Sequence, residues 1–212
     1  MKSDNKKLFD NSILYAINGI LAKGIHFFLL PIYTIYMSPE EYGILNIVMS
    51  FNSVAMYLII LSLDSALMRY YNEYKDDVES IKRAYGTVFV IILATSTIFL
   101  TVCLVFRKVL LKTVFDGIDF VPYILLGLII LVLDSIYTIH RRMLETLQDG
   151  VKVTKVNILG IVVSSIISLI FLSIFRLGVE GVLISSLIVS ACTIIFMIYD
   201  IVVHHMMIFC FD

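Results

Sequence analysis

The chain has 212 residues, 60% of them hydrophobic, with a mean hydropathy of +0.98. Only 16% are charged, against roughly 25% in soluble domains. A soluble fold of this size cannot bury so much apolar surface, so the class is an all-α polytopic membrane protein. A net charge of −1 argues against a general nucleic-acid binder.

Residues 1–11 form a short polar tail with three lysines, Lys2, Lys6 and Lys7. Six apolar runs follow, at about 12–36, 42–66, 84–106, 120–139, 154–176 and 179–203. Each is long enough to cross a hydrocarbon core of roughly 30 Å at 1.5 Å per residue. The 12–203 stretch is therefore expected to be a six-span lobe, with 204–212 as a second short tail. The first run is too long for a signal peptide and lacks a small-residue cleavage site. The loops at 67–83 and 140–153 are charged and read as helical extensions of spans two and four. The turns near 37–41 and at Leu177-Gly178 are very short and demand antiparallel neighbours.

Loop charges set the expected orientation. With the N-terminus inside, the inner segments hold eleven Lys and Arg: the three tail lysines, Arg69, Lys75, Lys82, Arg83, Arg141, Arg142, Lys152 and Lys155. The outer segments hold four, Arg107, Lys108, Lys112 and Arg176. Both termini are thus expected in the cytoplasm of a cell whose cytoplasmic membrane holds the protein. The 107–120 loop fits least well, because three of its positive charges fall outside.

Polar residues inside the spans fall into stripes. On span one, Ser12, Ala16, Gly19, Lys23, His26, Leu30 and Thr34 step by three or four and share a face. Lys23 lies roughly 16 Å into the span at helical rise, beyond the reach of simple snorkelling. A lysine there costs roughly 2.5–3.5 kcal/mol on insertion scales. On span two, Asn46, Ser50, Ser53, Tyr57 and Asp64 share a face. On span four, Tyr123, Gly127, Asp134, Thr138 and Arg141 do the same. These stripes predict a water-filled cavity with Lys23 as a cation suited to a phosphate or diphosphate. Lys23, Gly19, His26, Asn46, Ser50, Ser53 and Tyr57 are its expected substrate-binding wall. Two other readings of the charges stay open: Lys23 paired structurally with Asp64 or Asp134, and Asp64, Asp134 and Arg141 as an ion-linked or purely structural set. Asp64, Asp134 and Asp200 are expected near the membrane interface. His26 is expected to bond between helices, and the serines of spans five and six to form packing seams. Pro31 should kink or soften span one.

No catalytic constellation, metal-ligand spacing or cofactor motif is present. Cys103, Cys192 and Cys210 lack metal-like spacing and read as packing residues. The chain is expected to be a non-enzyme without cofactor or metal.

Several segments together resemble the polysaccharide-biosynthesis flippases, the Wzx-like members of the multidrug/oligosaccharidyl-lipid/polysaccharide exporter superfamily. These are Lys23 to Pro31 followed by Met37-Ser38-Pro39-Glu40-Glu41-Tyr42-Gly43, then Leu63 to Tyr71, Glu145-Thr146-Leu147-Gln148 and Gly178-Val179-Glu180-Gly181. The resemblance implies translocation of an undecaprenyl-diphosphate-linked oligosaccharide for surface polysaccharide such as lipopolysaccharide or capsule. It implies alternating access between two six-helix lobes, with Lys23 in the place of a first-span cation. Six spans make one such lobe, so a partner lobe, a homodimer or glycan-assembly proteins are expected partners beside membrane lipid and the lipid-linked oligosaccharide. An inactive or partner-dependent half-transporter, truncated near 204–212, and a small-solute exporter are the alternatives.

Overall fold

A computed structural model describes residues 19–21, 24–25, 27–74 and 77–207. Lys23 and His26 lie outside the described residues. All regular structure among the described residues is helical. The elements are α1 (Phe27–Tyr36), α2 (Pro39–Ile60), α3 (Leu63–Glu73), α4 (Val78–Val105), α5 (Arg107–Thr113), a distorted turn Phe120–Ile124 that leads into α6 (Leu125–Thr146), α7 (Gly150–Ser173) and α8 (Gly178–His204). Five helices are long and apolar enough to cross a membrane: α2, α4, the continuous Phe120–Thr146 segment, α7 and α8. With α1 as a shorter apolar helix, the protein is an all-α membrane protein.

Several boundaries have clear local causes. Ser38 opens α2 with a reciprocal capping box. The Glu41 amide donates to Ser38 Oγ at 3.2 Å, and the Ser38 amide donates to Glu41 Oε2 at 2.7 Å. Pro39 takes the first helical position, where its missing N–H costs nothing. The Ser-Pro-Glu-Glu turn is therefore a helix start signal. Glu41 has a second role. Gly178, at the start of α8, has φ +53°, and the Glu41 carboxyl fills the space a Cβ would need there. The turn after α1 is thereby fitted to the α7–α8 turn.

Span two ends sooner than its apolar run suggests. Leu61 and Ser62 both adopt left-handed backbone, with φ of +51° and +59°. They stop α2 at Ile60 and restart the chain as α3. The carbonyl of Ile59, freed at this end, accepts the Thr95 hydroxyl of α4 at 3.1 Å. A partner of this kind is what a helix end inside a bundle needs. Span four is longer than its apolar run, because its helix continues through the Arg141-Arg142 pair to Thr146. α1 continues through Pro31, and the Thr34 hydroxyl donates to the Pro31 carbonyl at 2.8 Å.

The core runs along α6, which packs against α2, α3, α4, α7 and α8. It contains Val48, Ile59, Tyr85, Ile92, Leu128, Leu131, Ile139 and Leu183. α5 and the loop behind it are folded onto this core, since Phe115 is buried and its ring meets Phe51 of α2 at 5.0 Å.

Candidate functional site: a polar cavity along α2 and α6

α2 approaches α6 closely at Gly127. The Val48 side chain lies 2.5 Å from where a Gly127 Cβ would sit. Asn52 of α2 donates its side-chain N–H to the Gly127 carbonyl at 2.8 Å. A small residue with an interhelical polar bond is the usual way to hold membrane helices together. A cavity opens beside this contact, lined by α2 residues on both sides of it.

The cavity has a volume of about 940 Å³. Its walls are Tyr42, Asn46, Asn52, Ser53, Met56 and Tyr57 from α2, Asp134, Thr138, Arg141 and Arg142 from α6, and Ser186 of α8. Tyr33 of α1 also faces it, and Ser62, Asp64 and Ser65 form its rim at the α2–α3 break. The polarity is graded. Amide and hydroxyl groups line the end near α1, while Asp64, Arg141 and Arg142 gather at the other.

At the charged end, Arg142 Nε lies 3.3 Å from Asp64 Oδ2, and Arg142 also meets Glu145 at 2.8 Å. Arg141 lies 3.9 Å from Glu145. All four side chains are partly exposed, so these pairs hold geometry more than they add stability. Asp134 sits deeper, where the Ser190 hydroxyl of α8 donates to its Oδ1 at 2.6 Å. A second hollow of about 340 Å³ between α6, α7 and α8 shares Asp134 and Tyr33 with the main cavity.

Of the residues expected in the cavity wall, Asn46, Ser53 and Tyr57 lie there together with Asp64, Asp134 and Arg141. Ser50 lines instead a shallower hollow with Asn46, Phe51, Val54 and Val114, because it falls at the edge of the α2 stripe. Gly19 is helical and exposed, with no neighbour within 4 Å of its Cβ position. Asp64 and Asp134 find their nearest described partners in Arg142 and Ser190. Tyr33, Asn52 and Arg142 were not among the expected wall residues. Asn52 lies about a third of a turn from the Asn46–Tyr57 stripe, and Arg142 stands at a span end among loop charges.

Asp200 lies one turn from the end of α8, as expected, but it is 1% exposed and packed between helices. Lys152 of α7 and His140 of α6 reach it there.

A family model described as "polysaccharide biosynthesis protein" matches residues 8–209. The chain belongs to this family. No curated protein and no solved structure gives a further match. Gly181 is as constrained as Gly178, since a Cβ there would lie 2.8 Å from Phe171 Cβ. These glycines and the Glu41 carboxyl make one packing device at one end of the lobe.

Proposed function

We propose that this member of the polysaccharide biosynthesis family moves a lipid-linked oligosaccharide, carried on undecaprenyl diphosphate, from the cytoplasmic to the outer leaflet of the cytoplasmic membrane. The observation that carries this reading is the α2–α6 cavity, with amide and hydroxyl groups toward one end and two arginines, beside Asp64, at the other. Amide and hydroxyl groups suit sugar hydroxyls. Arg141 and Arg142 suit a diphosphate, because guanidinium groups bind phosphate oxygens bidentately. Lys23 is a third cation proposed for this role from its position in span one. The protein acts as a transporter, not an enzyme, and works by alternating access around the head group.

The test is export of surface glycan in a cell whose own flippase has been removed, with this chain supplied in its full cellular context. Arg141→Gln with Arg142→Gln, and separately Lys23→Ala, should each reduce export at least about tenfold, the effect of losing one charge-assisted contact of about 1.5–3 kcal/mol. Membrane levels of the protein should stay unchanged. Normal export by both variants would refute the cationic role of the cavity.

A partner-dependent half-transporter is the second reading. Tyr57 belongs to the cavity wall yet is 80% exposed, which favours a further lobe facing α2. In this reading the chain exports only when that lobe is co-expressed.

A further inference from the structure

Away from the cavity, four helices bring ionisable side chains to one buried point. Tyr85 of α4 and His140 of α6 are 0% exposed, and Asp200 of α8 is 1% exposed. The Tyr85 hydroxyl lies 2.7 Å from His140 Nδ1. His140 Nε2 lies 3.1 Å from Asp200 Oδ2, but neither atom has a hydrogen bond of good geometry. Lys152 of α7 donates to the other carboxylate oxygen, Oδ1, at 2.8 Å. One carboxylate is thus shared between a permanent cation and an imidazole that carries either one proton or two.

We propose that His140 and Asp200 form a proton-binding site, and that loading it displaces Lys152 from Asp200. In the empty state the Tyr85 hydroxyl donates to Nδ1, while Nε2–H faces Asp200 and Lys152 supplies the balancing charge. The incoming proton binds Nδ1. Tyr85 then accepts from Nδ1–H instead of donating, which a hydroxyl can do without moving its oxygen. The imidazolium and Asp200 now form a neutral pair, and Lys152 becomes a surplus cation. A surplus buried charge is costly. The Lys152 side chain is 27% exposed and already has Asp149 at 3.6 Å, so it swings toward water and that carboxylate. The tie between α7 and α8 is exchanged for one between α6 and α8.

Of the other described groups facing the site, one imidazole also reaches the carboxylate. His204 of α8 is half exposed, with Nδ1 3.1 Å from both Asp200 Oδ1 and the Asp200 carbonyl, and it offers a route to water. Tyr137 stands beside the His140 ring at 6.4 Å. Arg141 and Glu145 lie beyond it and pair with each other. Asp149 is the only other carboxylate in contact with Lys152 among the described residues. Among the described residues, no group of three or more His, Cys, Asp and Glu is placed to hold a metal ion. This site stands on the cluster alone and does not depend on the glycan-transport reading.

The test uses the full chain in lipid nanodiscs, brought in steps from about pH 8 to about pH 3.5, past the low end of the ordinary histidine range, because the His140 ring is fully buried. Proton uptake is counted with an indicator dye. With His204→Gln in both chains, because that ring also touches Asp200, the chain that keeps His140 should take up one proton more than the one with His140→Gln. Spin labels at the exposed positions Val151 and Val203, on a background without the native cysteines, report the α7–α8 spacing. The spacing should change with pH in wild type and not in Lys152→Met. Equal uptake in the two chains would overturn the proposal, as would identical spacing at all pH values in wild type. If His140→Gln does not fold, nitrogen NMR of histidine-labelled wild type decides. The resonance perturbed by Tyr85→Phe must show two protonated ring nitrogens at the lower pH, and a ring that stays singly protonated rules the site out.

Discussion

At the scale of single residues, Gly127 carries the tightest constraint on the cavity. It sets how closely α2 and α6 meet, with Val48 in the place of its missing side chain and Asn52 bonded to its carbonyl. Overpacking a well-filled contact costs about 1–3 kcal/mol. Gly127→Val should therefore lower thermal stability in detergent by about that much, whereas Gly43→Ala, with open space around it, should cost little. Equal stability of the two variants would mean that the helices part freely at this point. Gly127 was visible in the sequence as a member of the Tyr123–Arg141 stripe. Its reason was not, because a helical glycine shows its purpose only once the residue on the opposing helix is known. Asp200 and His140 were obscured in a similar way. Each stands near a run of charges at a span end, and position alone suggested an interface. Their burial comes from neighbouring helices: α6 continues past its apolar run to Thr146, and His140 of α6 and Lys152 of α7 close over Asp200 of α8.

At the scale of elements, the break between α2 and α3 shapes the charged end of the cavity. Two successive residues take left-handed backbone, a conformation that costs non-glycine residues roughly 1–2 kcal/mol each. The turn swings Asp64 to within reach of Arg142. Ser62→Gly should keep or raise thermal stability, because glycine adopts this backbone without penalty. Ser62→Pro should abolish the fold of this corner, because proline holds φ near −65° and cannot take the +59° found here. Circular dichroism melts of the two variants distinguish these outcomes, and a Ser62→Pro chain that melts like wild type would show that the break is not needed. The existence of spans two to six was legible in the apolar runs, since long periodic hydrophobic segments leave little choice in a bilayer. The break was not legible. Leu61 and Ser62 carry no turn signature, and the run continues through them to Ala66. The helix stops there because α4 supplies a hydroxyl for the freed carbonyl of Ile59, a tertiary cause that a linear reading does not contain. The capping box at Ser38–Glu41 is the opposite case, for all its partners lie within four residues.

At the scale of the whole molecule, the arrangement of connections constrains how the lobe sits in the membrane. Short turns join α1 to α2 and α7 to α8, and the Glu41–Gly178 contact brings both turns to the same end. Arg69 of α3 and the helix ends bearing Lys82, Arg83, Arg141, Arg142, Lys152 and Lys155 belong to the opposite end. The charge excess at that end predicts that it faces the cytoplasm. α5 is the apparent exception, with Arg107, Lys108 and Lys112 at the same end as the short turns. Its placement lessens the conflict. Phe115 is buried and packs on Phe51, and Ile118 is buried as well. The segment is thus held by apolar side chains against α2, while its basic residues stay exposed or half-exposed at the surface. Positive charges on a docked segment can lie at the headgroup level without being drawn inward. Single cysteines at Asn72 and at Lys108, introduced into a chain without its native cysteines, test the orientation in intact cells. A membrane-impermeant thiol reagent should label position 108 and leave position 72 unlabelled until the membrane is opened. The reverse pattern would invert the lobe and place the cavity's Arg141 and Arg142 at the outer leaflet. A diphosphate entering from the cytoplasm would then meet the amide-lined end first, and the direction of transport proposed for this chain would have to be reversed as well.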